Sequence, residues 1–160
     1  MTLALGIDPG TATTGYGLVR LMPDGELVAV SFGVILTPKE SSDSARLVML
    51  FDELNKILKK HKPDTAAVEK LFFARNVSTG ITVGQARGVI LLALEKAGIP
   101  TSEYSPNEVK QAVAGYGHAE KRQMQEMVRT LLQLEKIPKP DDAADALAIA
   151  ITHLNTARYE

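Results

Sequence analysis

Leu3-Ala-Leu-Gly-Ile-Asp8, closed by Pro9-Gly10, is the stretch that decides the fold. Five residues without a polar side chain run into a single acid, and the proline–glycine pair stops the run. It reads as a short buried strand ending in a turn. A second stretch of the same kind, Thr65–Glu69 (TAAVE), follows the break at Pro63-Asp64 and also ends on an acid. Two strands that each deliver a carboxylate at their C-terminal end point to an open α/β sheet. In such sheets, sites form in the crevice beyond the strand ends.

The rest of the chain fits around these two strands. Gly15–Leu21 and Glu26–Leu36 are rich in β-formers, and Pro23-Asp24-Gly25 between them is a hairpin signal. Ser42–His61 sets Leu47, Leu50, Phe51, Leu54, Ile57 and Leu58 at spacings of three and four, the stripe of an amphipathic helix. Val77–Ala97 reads as a long helix closed by Gly98 and Pro100, and Thr101–Tyr104 as one more strand. Helices over Asn107–Ala114 and Glu120–Leu134 are parted by the glycine-containing loop 115–118. A last helix, Asp141–Ala157, begins just after Pro138 and Pro140. The order β-β-β-α-β-α-β-α-α-α predicts an α/β fold with a mixed five-stranded sheet flanked by helices. No repeat, low-complexity tract or long linker divides residues 1–160, which read as a single domain.

Composition narrows the chemistry without choosing it. The 160 residues include no cysteine, which removes thiolate nucleophiles, CxxC redox chemistry, iron–sulfur clusters and thiolate zinc sites. No unbroken apolar run is longer than Val89–Leu94, and the first residues lack the basic start of a signal peptide. A cytoplasmic protein without a membrane segment is the expectation. The net charge of −1 gives no global sign of a nucleic-acid partner, but setting four clustered carboxylates aside leaves the remainder at +3. That allows a modestly basic surface around an acidic hole.

The acids suggest what such a hole does. Asp8 and Glu69 end neighbouring strands, and the last helix opens DDAADALAIAI, with Asp142 and Asp145 three apart and Asp141 and Asp145 four apart. Either pair shares a helix face. Each acid alone has a plain explanation. Asp8 suits a turn, Glu69 a strand end meeting solvent, and Asp141 or Asp142 a helix N-terminus. Asp145 fits none of these, since it lies deeper in an otherwise apolar helix. Acids brought together out of water need a cation, and an all-oxygen donor set selects a hard one, Mg²⁺ or Mn²⁺. Three or four carboxylates around two such ions suit phosphodiester hydrolysis. One ion activates water and the other stabilises the leaving 3′-oxygen.

Five ordered segments then resemble a known family: Gly6–Gly17 (GIDPGTATTGYG), Ala67–Asn76 (AVEKLFFARN), Gly84–Val89 (GQARGV), Val109–Lys121 (VKQAVAGYGHAEK) and Asp142–His153 (DAADALAIAITH). Together they resemble RuvC, the bacterial Holliday-junction resolvases, over nearly the whole chain except the stretch near Leu21–Asp43. The resemblance implies a ribonuclease-H-like fold and a homodimer. It also implies Mg²⁺-dependent paired nicking of four-way DNA junctions in recombination and repair, leaving 5′-phosphate and 3′-hydroxyl ends. It sets the four catalytic and metal-binding acids at Asp8, Glu69, Asp142 and Asp145, the DAADAL pattern choosing Asp142 over Asp141. In this scheme Asp8 bridges two ions, for which Mn²⁺ substitutes, while Glu69 serves the nucleophile side, Asp145 the other, and Asp142 assists.

Lys110 and Lys121 bracket a helix–loop–helix and are the expected phosphate contacts, each of which is also a basic position of the family pattern. Phe72 is the aromatic expected to stack on a base or wedge the junction, with Phe73 in the core and Arg75 and Asn76 adding polar contacts. Arg87 and Arg122 are weaker candidates, and His118 and His153 are given no catalytic part. The Gly80–Gly88 segment, with small residues at 84, 86 and 88, is the candidate dimer surface, and a two-fold dimer would cut a two-fold junction symmetrically. The family further implies the RuvA–RuvB branch-migration motor as a partner. Three other readings compete. An actin-like ATP-binding kinase shares GIDPG but needs a second domain, for which there is no room. A junction-binding module without catalysis would not need all four acids. A shorter resolvase-like family acts on structured RNA, and the paired aspartates spaced by three and the VKQ…AEK segment favour RuvC over it.

Overall fold

The computed structural model describes residues 1–10, 12–70 and 77–157. Its elements are β1 (Thr2–Asp8), β2 (Thr13–Leu21), β3 (Leu27–Leu36), α1 (Asp43–His61), β4 (Thr65–Glu69), α2 (Val77–Lys96), β5 (Thr101–Tyr104), α3 (Pro106–Ala114), α4 (Lys121–Leu131) and α5 (Asp141–Ala157). The sheet order is β3-β2-β1-β4-β5, with β1–β2 and β2–β3 antiparallel and β1–β4 and β4–β5 parallel. This is the mixed five-stranded sheet expected from the sequence.

Alternation along β1 divides the molecule into two layers. Leu3, Leu5 and Ile7 face a core built with Leu50, Leu54 and Leu58 of α1 and Ile90 and Leu94 of α2. Ala4, on the other face, joins a core with Ala67, Tyr104, Val128 and the α5 residues Leu147, Ile149, Ile151 and Leu154. Because side chains alternate with period two, Asp8 points to the same face as Ala4 and Gly6, and Glu69 to the same face as Ala67. Both acids are thereby aimed at the α5 side.

α5 lies unusually low on that face. A Cβ at Gly6 would run into the Ala146 carbonyl oxygen and come within 2.6 Å of the Ala150 backbone nitrogen. A Cβ at Gly15, the register partner of Asp8, would run into the carbonyl oxygen of Asp142. Strand glycines opposite helix alanines are what permit backbone to approach backbone here. The close approach brings the first turn of α5 down beside the end of β1.

Local signals set most boundaries. Ser42 caps α1 by accepting from the Ala45 N–H, and Lys62 ends that helix in the left-handed conformation. Ser105 and Glu108 form a capping box that starts α3 one residue earlier than the sequence indicates. α4 stops at Leu131 rather than Leu134, where Gln133 takes a left-handed φ of 54°. Leu132 is nonetheless buried, so the apolar spacing that suggests a longer helix continues through a non-helical turn.

The Gly6 contact is directly testable. Gly6→Ala must lift α5 or deform β1, and overpacking of this kind costs about 1–3 kcal/mol. In a chain of this size each kcal/mol lowers Tm by roughly 2–4 °C. Thermal or urea unfolding reads the loss, and a native-like midpoint would show that α5 is not held by this approach.

Candidate active site

Four acids meet where β1, β4 and α5 converge. One carboxylate oxygen each from Asp8, Asp142 and Asp145 lie within 4.8 Å of one another. Glu69 stands on the parallel neighbour strand, where Ile7 pairs with Val68, and its carboxylate hydrogen-bonds with that of Asp8. Asp142 and Asp145 share a face of α5 one turn apart, as their spacing requires. All four are half-buried.

Their mutual repulsion is large. Asp8 sits at the centre, and its pKa is pushed up to about 9, by burial first and then by the charge of Glu69 and the hydrogen bond with it. The charges of Asp145 and Asp142 push in the same direction. Asp145 is pushed up to about 6 by burial, with Lys121 opposing and the charges of Glu69 and Asp142 adding. Burial also raises Glu69, against the hydrogen bond with Asp8 and the charge of Lys110. The cluster alone therefore keeps a proton at neutral pH, and Asp8 is the group that holds it. A divalent cation coordinated by oxygen would replace that proton. The donor set, all carboxylate and free of nitrogen or sulfur, suits a hard ion such as Mg²⁺ or Mn²⁺.

Cations from α3 and α4 share a cleft of about 270 Å³ with the acids. Glu69 and Asp145 line it together with Lys110 and Lys121, and Val109, Ala119, Met124, Ala148 and Ile149 add apolar lining. Lys121 Nζ also pairs with Asp141 Oδ2 at 2.7 Å. Asp141, the neighbour that complicates the sequence register, is thus turned away from the cluster, and it is Asp142 that joins Asp8 and Asp145.

Other expectations resolve differently. Phe72, Phe73, Arg75 and Asn76 lie outside the described residues. Arg87 is engaged within the protein. Its guanidinium pairs with Glu103 at 2.6 Å and its Nε donates to the Glu69 carbonyl oxygen at 3.4 Å, so it ties the end of β4 to β5 and α2. Arg122 is exposed beside Tyr116 in a shallow groove between α3 and α4. His118 is exposed, whereas His153 is buried, with its ring nitrogens bonded to the Tyr104 hydroxyl at 2.8 Å and Thr65 Oγ1 at 2.7 Å. It braces α5 against β4 and β5, in keeping with a structural role. Sequence reading missed this link and the Lys121–Asp141 pair, because both join side chains distant in the chain with no local signature.

Comparison with known proteins agrees with this geometry. Residues 4–153 match the family model described as crossover junction endodeoxyribonuclease RuvC. The crossover junction endodeoxyribonuclease RuvC of Chloroflexus aurantiacus is 60% identical over 154 residues, 96% of this chain and 93% of that one. The Roseiflexus sp. protein of the same name is 56% identical over 98% of this chain and 92% of its own length. Among solved structures, Thermus thermophilus RuvC in complex with a Holliday junction substrate superposes with a TM-score of 0.94. It is 36% identical, with 99% of this chain and 96% of that one covered. With the fold, the acid cluster and both comparisons in agreement, this chain belongs to the RuvC family of crossover junction endodeoxyribonucleases.

Proposed function

We propose that residues 1–160 form a single nuclease domain that resolves four-way DNA junctions in the cytoplasm by paired symmetric nicks, using two Mg²⁺ ions held by Asp8, Glu69, Asp142 and Asp145. The observation that carries the reading is the acid cluster centred on Asp8, where burial first and the three neighbouring acids after it push the Asp8 pKa up to about 9. Such a centre is built for cations. Bound there, the ions would supply a nucleophilic water and charge stabilisation for the leaving 3′-oxygen. Asp8 adjoins the other three acids and would hold the ions at the centre of the cluster. Glu69 flanks it on the β4 side, and Asp142 and Asp145 flank it on the α5 side. Lys110 and Lys121, which line the same cleft, would bind backbone phosphates. Phe72, Arg75 and Asn76, which follow Glu69 within seven residues of sequence, are the further DNA contacts of this reading.

Paired nicks need two centres, and α2 offers the surface that would bring them together. Ala86, Ile90, Ala93 and Leu94 pack inward, yet Val77, Ile81 and Leu92 are 68%, 54% and 53% exposed. A helix apolar on two faces is suited to two partners. By length and composition it would cross a bilayer, but one face packs on the sheet and Arg87 is paired within the protein. The outer face, with Gly84 and Gly88 on the same helix, fits a second copy across a two-fold axis. RuvA–RuvB is the partner assembly that family membership supports.

Two outcomes are expected. A labelled mobile four-way junction in Mg²⁺ is nicked in opposite strands, while linear duplex and RNA–DNA hybrid are spared. Asp8→Asn lowers cleavage by roughly a hundred-fold or more, the scale for one preorganised charge-stabilising group. Tight junction binding without cleavage in Mg²⁺ or Mn²⁺ would instead identify a binding module.

The metal-free protein should lose stability as pH rises. A carboxyl whose pKa is higher folded than unfolded binds its proton more tightly in the folded state. The Asp8 contribution is therefore complete below the ordinary value of 3.8 and declines as pH climbs toward about 9. Tm in EDTA should fall between pH 5 and 9, Mg²⁺ should restore it most at high pH, and Asp8→Asn should flatten the slope. An unchanged slope in that variant would remove Asp8 from the centre of the cluster.

For the dimer, Ile81→Glu should sediment as a folded monomer at micromolar concentration where the native chain is dimeric. A native monomer, or a dimer that survives the substitution, would move the interface elsewhere.

A further inference from the structure

Asp141 stands next to Asp142 in the chain but outside the acid cluster, and both its carboxylate oxygens are engaged by α4. Oδ2 accepts from Lys121 Nζ at 2.7 Å and Oδ1 accepts from Gln125 Nε2 at 3.0 Å. Lys121 and Gln125 are four residues apart on one helix face, so a single carboxylate reaches both. Lys121 begins α4 and Asp141 begins α5. The contact thus joins the two helix starts that border the cleft.

Stability alone does not account for this arrangement. The Lys121 side chain is 62% exposed and that of Asp141 45% exposed, and ion pairs of that exposure contribute little to folding. A carboxylate at the mouth of a site that takes a polyanion also repels its substrate. What the pair does provide is order. Lys121 carries its charge on a flexible four-carbon stem, and untethered it would sample many rotamers in solvent. Held at Asp141, the ammonium stays in the wall of the cleft that Glu69 and Asp145 also line, where its charge is felt by Asp145. Gln125 in turn fixes the carboxylate, so the tether has a defined direction.

We propose that Asp141, braced by Gln125, is a positioning residue that keeps Lys121 in place for the cleavage step. Asp141 itself is not among the acids gathered with Asp8, and it acts through Lys121. The inference rests on the reading of Lys121 as a phosphate contact.

Single-turnover junction cleavage in Mg²⁺ and junction affinity in EDTA, measured separately, test it. The variants are Asp141→Ala, Asp141→Asn, Lys121→Ala and the double Asp141→Ala/Lys121→Ala, each checked for a native Tm. Asp141→Ala should cleave roughly ten- to a hundred-fold more slowly, the range for a small misplacement of a reacting group. Its junction affinity should be undiminished or higher, since a negative charge has gone. A merely structural defect would weaken both. Asp141→Asn keeps an acceptor for Lys121 and should recover much of the rate. In the Lys121→Ala background, Asp141→Ala should change nothing further. Equal losses with and without Lys121 would overturn the proposal, as would a native rate in Asp141→Ala. Native cleavage by Lys121→Ala alone would instead remove the reading of Lys121, and the positioning role with it.

Discussion

The approach of α5 to β1 and β2, close enough that Gly6 and Gly15 leave no room for a Cβ, determines where the chemistry sits. An ordinary helix on an ordinary sheet keeps its axis about 10 Å from the strands, separated by side chains. Here alanines face glycines, and the first turn of the helix descends to the level of the Asp8 carboxyl. Gly15 is both the register partner of Asp8 and the residue beneath the Asp142 carbonyl. One position therefore couples strand pairing, helix docking and the spacing of two acids. A larger residue there would act on the site even where the fold tolerated it.

Geometry of this kind works against electrostatics. The packing that brings Asp8, Asp142 and Asp145 within 4.8 Å of one another also leaves Asp8 protonated, with a pKa of about 9. The metal-free protein is consequently poised. The proton on Asp8 relieves repulsion at neutral pH, and a cation that displaces it gains affinity from the same repulsion. The lysines of α3 and α4 offset part of the field, Lys110 toward Glu69 and Lys121 toward Asp145, without entering the cluster. Stability is given up locally and recovered by whatever the acids bind.

Much of this was legible in the sequence because it is carried by local rules. Period-two alternation places Asp8 and Glu69 on one face, strand-end position places them at one edge, and i,i+3 spacing places Asp142 beside Asp145. The mixed sheet follows from the alternation of strands and helices. Less was legible wherever contacts join distant segments. Asp141 and Asp142 both share a helix face with Asp145, and where the family pattern selects Asp142, the physical reason, the Lys121–Gln125 face of α4 that engages Asp141, is seen only in the structure. Arg87 resembles a phosphate ligand until Glu103 and the Glu69 carbonyl are seen beside it. The end of α4 escaped because Leu132 stays buried after the helix has stopped, and hydrophobic spacing does not distinguish the two.

The division of charge between layers has a consequence for how the site meets DNA. The acids stand on strands and on a helix in backbone contact with them. The cations stand on α3 and α4, which meet each other through the loop at 115–118. Metal coordination demands fixed distances, which the backbone packing supplies, whereas a lysine on a flexible stem needs a partner to hold its charge in place. The Asp141 tether meets that need from the acids' own helix: it begins on α5, beside Asp142, and ends at Lys121 on α4.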